Sequence, residues 1–198
     1  MTEWEKLLAG EIYNDFDADL FQRRVAAKKL FRVYNKTDDD QTEERSVLLT
    51  KLLGKVGERV WIEPDFRCEY GKNITIGNDV YINFGCIILD CAEVVIGDHV
   101  LIGPNVGIYP VNHSTDAEER IHGGCYGQPV TIGNRVWLGG DVKVLAGVEI
   151  GEDTIIGAGS VVTKDIPSGV IAAGNPCRVI RKITDQDKTG YLQSMKRS

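Results

Sequence analysis

A parallel β-helix preceded by a short helical cap is the fold class this 198-residue sequence predicts, and three observations carry the prediction. First, Ile132, Leu138, Val144, Ile150, Ile156 and Val162 recur every six residues, often followed by glycine as at Gly133, Gly139, Gly151 and Gly157. Helices repeat near 3.6 and strands near 2, so a stride of six asks for one short strand and one corner per repeat, about 18 residues to a three-sided coil. Second, the same stride runs upstream through Ile76, Ile82 and Ile88 and, after a two-residue slip, through Ile96, Ile102 and Ile108. Third, before Val56 the stride is absent and helix starts and stops replace it.

In chain order, Thr2 with Glu5 forms a capping box ahead of Leu7 and Leu8, and Gly10 supplies the helix stop. Ile12 to Asp15 reads as a connector. Asp17 caps a second helix whose Leu20, Phe21, Val25, Leu30, Phe31 and Tyr34 form an amphipathic face. A third helix runs from about Thr42 to Leu53 and ends at Gly54. These helices would cover the open end of the coil, where unpaired strand edges invite aggregation. The domains read as a cap over 1–55, a β-helix over 56–183 and a tail over 184–198.

In each repeat the aliphatic residue points inward and stacks on its equivalent in the next coil. The glycine after it answers a corner that needs positive φ or close backbone approach. The slip places an insertion near Asp90 to Glu93, and a larger break, about 109–129, ends at a strand opening with Val130. The break keeps a multiple of six between Ile108 and Ile132, so counting leaves an irregular coil open, and a disordered insertion is the plain alternative. Long connections in compact domains carry binding or catalysis, which favours a functional loop.

With 42% hydrophobic residues the chain can bury a sizeable core, and no apolar run reaches the length of a membrane span. The N-terminus is charged and lacks a signal-peptide stretch. Five cysteines, Cys68, Cys86, Cys91, Cys125 and Cys177, form no CxxC pair, which points to reduced thiols, a cytoplasmic setting and no metal. Cys86 fills a small-residue position and reads as core. A net charge of −6 disfavours nucleic acid as the partner. The acid excess reverses locally, because from Lys164 onward seven basic residues face three acidic ones. That edge is either a solvated tail or an anion site.

The stretches Asp79 to Phe84, Ile96 to Asn105, Ile156 to Pro167 and Gly174 to Arg181, together with the Leu-Ala-Gly start of the cap, resemble the maltose/galactoside O-acetyltransferases of the hexapeptide-repeat superfamily. The resemblance covers nearly the whole chain. It implies a left-handed coil, a homotrimer with sites between protomers, and acetyl-CoA as donor to a sugar or related hydroxylated acceptor. It implies His113 as general base, since a sugar hydroxyl is too weak an acid to attack a thioester unaided. Of the other histidines, His99 lies in a regular repeat and reads as structural. His122 shares the loop with His113, and only the family match separates them.

For Asn83 the resemblance implies oxyanion stabilisation, while its place at a corner normally given to glycine allows a purely left-handed conformational role. Asp15 and Tyr81 match acceptor-contacting positions. Glu69 stands where galactoside-acetylating relatives have serine, Cys91 where they have aspartate, with Asp90 adjacent, and Cys125 where they have an apolar loop contact. The acceptor pocket therefore differs from theirs. Trp137, Gly140, Ala158, Thr163, Lys164, Arg178 and Arg181 match the CoA groove, although Trp137 also fits a plain interface role. A serine or xenobiotic acetyltransferase is the alternative within the class. A zinc lyase of the carbonic-anhydrase type and a non-enzymatic subunit are the alternatives outside it.

Overall fold

A computed structural model describes residues 1–195. Three helices come first: α1 (Glu3–Ala9), α2 (Ala18–Tyr34) and α3 (Thr42–Leu52). Thr2 and Glu5 exchange the two capping-box hydrogen bonds, and Gly10 closes α1 with φ 71°, a left-handed cap that costs glycine little. Asp17 caps α2 by accepting from the N–H groups of Asp19 and Leu20. The buried stripe of α2 is Leu20, Ala27, Phe31 and Tyr34. Phe21, expected on that face, is 55% exposed, because one residue further along a helix turns about 100° away from Leu20. Tyr34 and Arg45 both donate to the carbonyl of Ile62, fastening the cap to the first coil.

From Lys55 the chain winds into three parallel faces. Lys55–Val56, Ile74–Ile76, Val94–Ile96, Val130–Ile132 and Glu149–Ile150 form the first face. Trp61–Ile62, Tyr81–Ile82, Leu101–Ile102, Trp137–Leu138, Ile155–Ile156 and Val170–Ala173 form the second, which Arg178–Lys182 extends as an antiparallel edge. Arg67–Cys68, Ile87–Ile88, Gly107–Tyr109, Lys143–Leu145 and Val161–Val162 form the third. Every aliphatic residue of the six-residue stride from Ile76 to Val162 is no more than 1% exposed. Full burial of such a side chain contributes about 1.5–3 kcal/mol, so the inward stack is the main adhesive of the coil.

The corners divide the two roles expected of glycine. Residues directly after the aliphatic position, such as Gly103, Gly139 and Gly157, have ordinary φ but lie against the next coil, and a Cβ on Gly139 would come within 2.6 Å of the Ala158 nitrogen. Positive φ falls three residues after the aliphatic position, at Asp79, Gly85, His99, Asn105, Arg135, Asp141, Asp153 and Gly159. His99 is thus a corner residue. It sits 3.7 Å from Asp79, which also pairs with Arg59, while Arg135 pairs with Asp153 along the same corner.

The insertion at 90–93 has a companion that the stride did not reveal. Val56 lies under Ile76, and Ile76 under Ile96, so both lower coils are two residues longer than the regular coil from Ile132 to Ile150. Each extra pair of residues, and the long loop above them, leaves the coil at the one corner between the third and first faces. The long loop is folded. It contains β2 (Val111–His113), α4 (Ala117–Ile121) and β3 (Gly124–Gly127). The expected connector Ile12 to Asp15 contains β1 (Tyr13–Asn14), which pairs antiparallel with β3, making a sheet in the order β1-β3-β2.

Candidate active site

In this small sheet Tyr13 lies opposite Cys125, and Cys125 opposite His113. Directly opposed residues of antiparallel strands share a face, so the register puts His113, Cys125 and Tyr13 in one row. His113 is exposed, whereas Cys125 and Tyr13 are buried and joined by a 3.1 Å contact between thiol and phenol. Burial raises the pKa of both Tyr13 and Cys125. His122 is outside that row: it caps α4, its Nδ1 is 2.8 Å from the carbonyl of Glu118, and it lines a neighbouring cavity with Tyr13, Asn14 and Gly124. The two loop histidines thus occupy different places beside Tyr13.

Beside the row, Arg24 of α2 gathers the acceptor candidates. It donates to the Asp15 carboxylate at 2.6 Å and to the Asp15 carbonyl at 2.8 Å, and lies 3.5 Å from a carboxylate oxygen of Glu69. Burial raises the pKa of Glu69, and Lys28 and Arg24 act against it. Cys91, Cys125, Tyr13 and Tyr70 pack in the same cluster with Leu7 and Leu20. Sequence reasoning missed Arg24 and Tyr13. The available signal was an arginine four residues after Leu20, on the inward stripe of a capped helix, where an unpaired charge is costly.

Asp90 cannot replace the aspartate absent at Cys91. Its carboxylate is buried and accepts from the backbone N–H groups of Glu69, Tyr70 and Asn73 at 2.8–3.2 Å, which locks the lengthened corner. Burial raises its pKa and those backbone bonds oppose the rise.

Tyr81 and Asn83 are not in this cluster. Tyr81 faces outward from the second face, its hydroxyl donating to Glu63 at 3.0 Å, and Asn83 sits at the corner between the second and third faces. The left-handed conformation expected of Asn83 is absent, since positive φ at that corner belongs to Gly85 at 71°. Asn83 instead stands above Glu63 in a column continued by Gly103, Gly139 and Gly157, each of these glycines pressed on the coil beyond it.

Gly140 and Ala158 flank that column, with the Gly159 N–H donating to the Gly140 carbonyl at 2.9 Å. Trp137 is 51% exposed on the second face. Thr163 and Lys164 follow the third face at the opposite corner, and Arg178 and Arg181 belong to the terminal antiparallel edge. The expected donor positions are thus split between two sides of one protomer. Arg178 donates to the Cys177 carbonyl and forms no ion pair among the described residues, whereas Arg181 forms a bidentate pair with Asp187 at 2.6 and 2.9 Å. Two of the basic residues counted in the C-terminal edge, Lys196 and Arg197, lie outside the described residues. Among the described residues, no helix is long and apolar enough to cross a membrane.

A solenoid of six-residue repeats closed by a helical cap defines the class of hexapeptide-repeat transferases. The bacterial transferase hexapeptide model (six repeats) matches residues 129–164, the hexapeptide repeat of succinyl-transferase matches 93–112, and the maltose acetyltransferase hexapeptide capping motif matches 6–57. The galactoside O-acetyltransferase of Escherichia coli K12 is 44% identical over 99% of this chain and 97% of its own length. Nodulation protein L of Rhizobium meliloti is 47% identical over 90% of this chain and 97% of its own. The crystal structure of a maltose O-acetyltransferase from Clostridium difficile 630 matches with a TM-score of 0.91 at 48% identity, covering 93% of this chain and 99% of that one. A galactoside acetyltransferase in complex with coenzyme A matches with a TM-score of 0.90 at 44% identity, covering 94% of each chain. The chain belongs to the maltose/galactoside O-acetyltransferase family.

Proposed function

We propose that this protein is an O-acetyltransferase that moves the acetyl group of acetyl-CoA directly to a hydroxyl of a sugar or related acceptor, with His113 as general base. The observation that carries the reading is the register of the small sheet, which sets His113 in one row with Cys125 and Tyr13, next to the Asp15–Arg24–Glu69 cluster. Carboxylates and a guanidinium at that spacing are suited to fixing a polyhydroxylated ligand. The imidazole takes the hydroxyl proton as the new C–O bond forms at the thioester carbonyl. Asn83 meets the oxyanion, and when the C–S bond breaks the imidazolium returns the proton to the leaving thiolate.

Direct transfer is favoured over an acyl-cysteine. All five cysteines are free and buried, and burial pushes the Cys91 and Cys125 thiols away from the thiolate form that a nucleophile needs. The same burial of free thiols accords with a cytoplasmic setting.

The donor reading rests on the glycine column and on the solved relative that holds coenzyme A. Gly140 and Ala158 would let pantetheine approach the backbone, and Lys164, Arg178 and Arg181 would meet phosphates. Asn83 and Trp137 lie on the second-face side, away from the corner that carries the His113 loop, and a homotrimer with sites between protomers would bring those two sides together. The outward row of the second face, Trp61, Tyr81, Leu101, Trp137 and Ile155, is apolar enough to need that cover.

Free-thiol release from acetyl-CoA, measured with glucose, maltose, galactosides, amino acids and antibiotics as acceptors, tests the reading. Release only with amino acids or antibiotics would move the protein to the serine or xenobiotic branch, and no release above hydrolysis would refute the activity.

A further inference from the structure

A groove of about 650 Å³ runs between the second half of α2 and the third face, and Glu69 is among the residues that line it. Lys28, Arg32 and Lys36 line it from the helix side, and Arg67 lines it from the coil. Lys28 and Arg32 are four residues apart on α2 and so form one ridge, and Lys36 follows in the turn just beyond the helix. Arg67 projects outward because its neighbour Cys68 is the buried residue of that strand.

Among the described residues, none of these four cations forms an ion pair. Cations without a carboxylate partner among the described residues occur elsewhere too, as at Arg120, Lys143 and Arg178, but here four of them line one groove. Arg23, Arg24, Arg45, Arg59, Arg135 and Arg181, by contrast, each meet a carboxylate. In a protein of net charge −6, acids are abundant, yet this groove keeps four like charges together with only Asp65 and Glu69 on its walls. The negative end of the α2 dipole accounts for cations at Arg32 and Lys36. It does not account for Lys28, which lies mid-helix, or for Arg67, which comes from a strand.

The groove also continues the site already described. Arg24, which holds Asp15 and approaches Glu69, lies on the same helix as Arg32, about 12 Å away along the axis. A hydroxylated molecule held at Arg24 would lay its far end along the basic ridge. Four guanidinium and ammonium groups against two carboxylates leave the groove net positive, which matches a dianion with several acceptor oxygens better than a neutral sugar.

We propose that this groove binds a phosphate group carried by the acceptor, so that the preferred acceptor is a phosphorylated sugar or sugar-like alcohol. The proposal rests on the acceptor reading given above, and its test separates the two.

Calorimetric binding of glucose and glucose 6-phosphate, without acetyl-CoA, is to be compared in the native protein and in the Arg32→Ala/Arg67→Ala double variant, whose changes lie at exposed positions. The native protein is expected to bind glucose 6-phosphate roughly tenfold or more tightly than glucose, and the double variant to lose most of that ratio. Equal binding of the two sugars by the native protein, or an undiminished ratio in the variant, overturns the proposal. Glucuronate bound as tightly as glucose 6-phosphate replaces phosphate by any anion and likewise overturns it. A rise in the KM for acetyl-CoA that matches the loss of phosphate binding would assign the cations to the donor instead. If the phosphate preference holds while no acceptor releases thiol from acetyl-CoA, the groove stands and the acetyltransferase reading falls. Acetylation of sugars with no phosphate preference gives the reverse.

Discussion

His113 and His122 are nine residues apart on one loop, yet only His113 stands in the row that leads to Tyr13. His113→Ala is expected to lower kcat by roughly 10²–10⁴ while acetyl-CoA binding survives, and His122→Ala to do much less. Full activity in the first variant and loss in the second would reassign the base. Asn83 now admits a simpler test than its sequence position implied. Because its backbone is not left-handed, Asn83→Ala removes the side-chain amide without straining a corner. A kcat loss of about 10²–10³ with an unchanged melting temperature is expected if the amide meets the oxyanion, and an unchanged kcat would reduce Asn83 to a corner residue. At this scale the family match supplied the candidates, while Arg24 and Tyr13 stayed hidden. Both act through partners distant in sequence, Glu69 and Cys125, which no local pattern announces.

The repeat is legible at the scale of elements because each step is set by neighbours six residues away. Its exceptions are legible only where an aliphatic residue marks the slip. The extra residues before Ile74 escaped because the preceding step is Cys68, a residue that does not advertise a coil interior. β1 escaped because two residues have no period. The core stack makes a strong demand: Ile150→Asp would bury an unpaired charge at a fully enclosed site and is expected to cost more than about 4 kcal/mol, read as loss of cooperative unfolding. The two kinds of corner glycine are expected to differ. Gly139→Ala drives a Cβ against the next coil, costing about 1–3 kcal/mol, and also narrows the proposed CoA groove. Gly159→Ala meets no atom within 4 Å and pays only for its φ of 71°, about 1–2 kcal/mol. Equal donor KM values in the two variants would remove the column from the donor site.

At the scale of the whole molecule, Asn83 and Trp137 on the second-face side lie away from the corner that carries the His113 loop, and the proposed trimer joins the two sides. Sedimentation at assay concentration is expected to show a trimer, and an active monomer would overturn the shared-site reading. Arg178→Ala should raise the KM for acetyl-CoA and leave that of the acceptor nearly unchanged. Arg181 is held by Asp187, so Asp187→Asn offers the converse measurement. If Arg181 is a phosphate ligand, releasing it should lower the donor KM, and no change would leave the pair as a clasp for the terminal edge.

The pairing of β1 with β3 also fixes when the site can exist. Tyr13 meets Cys125 across 112 residues of chain, so a ribosome delivers the first strand of the small sheet long before the strand that completes it. Coils can stack one upon another as they emerge, since each contacts only its neighbours. The cap can dock on the lowest coil early, leaving β1 beside an unfilled edge until residues 124–127 arrive. Contacts of such long sequence separation form late and slowly. Once residues 124–127 have emerged the small sheet can close, while the coils from Val130 onward and the proposed donor positions from Trp137 to Arg181 are still to come, so the acceptor side is built before the donor side.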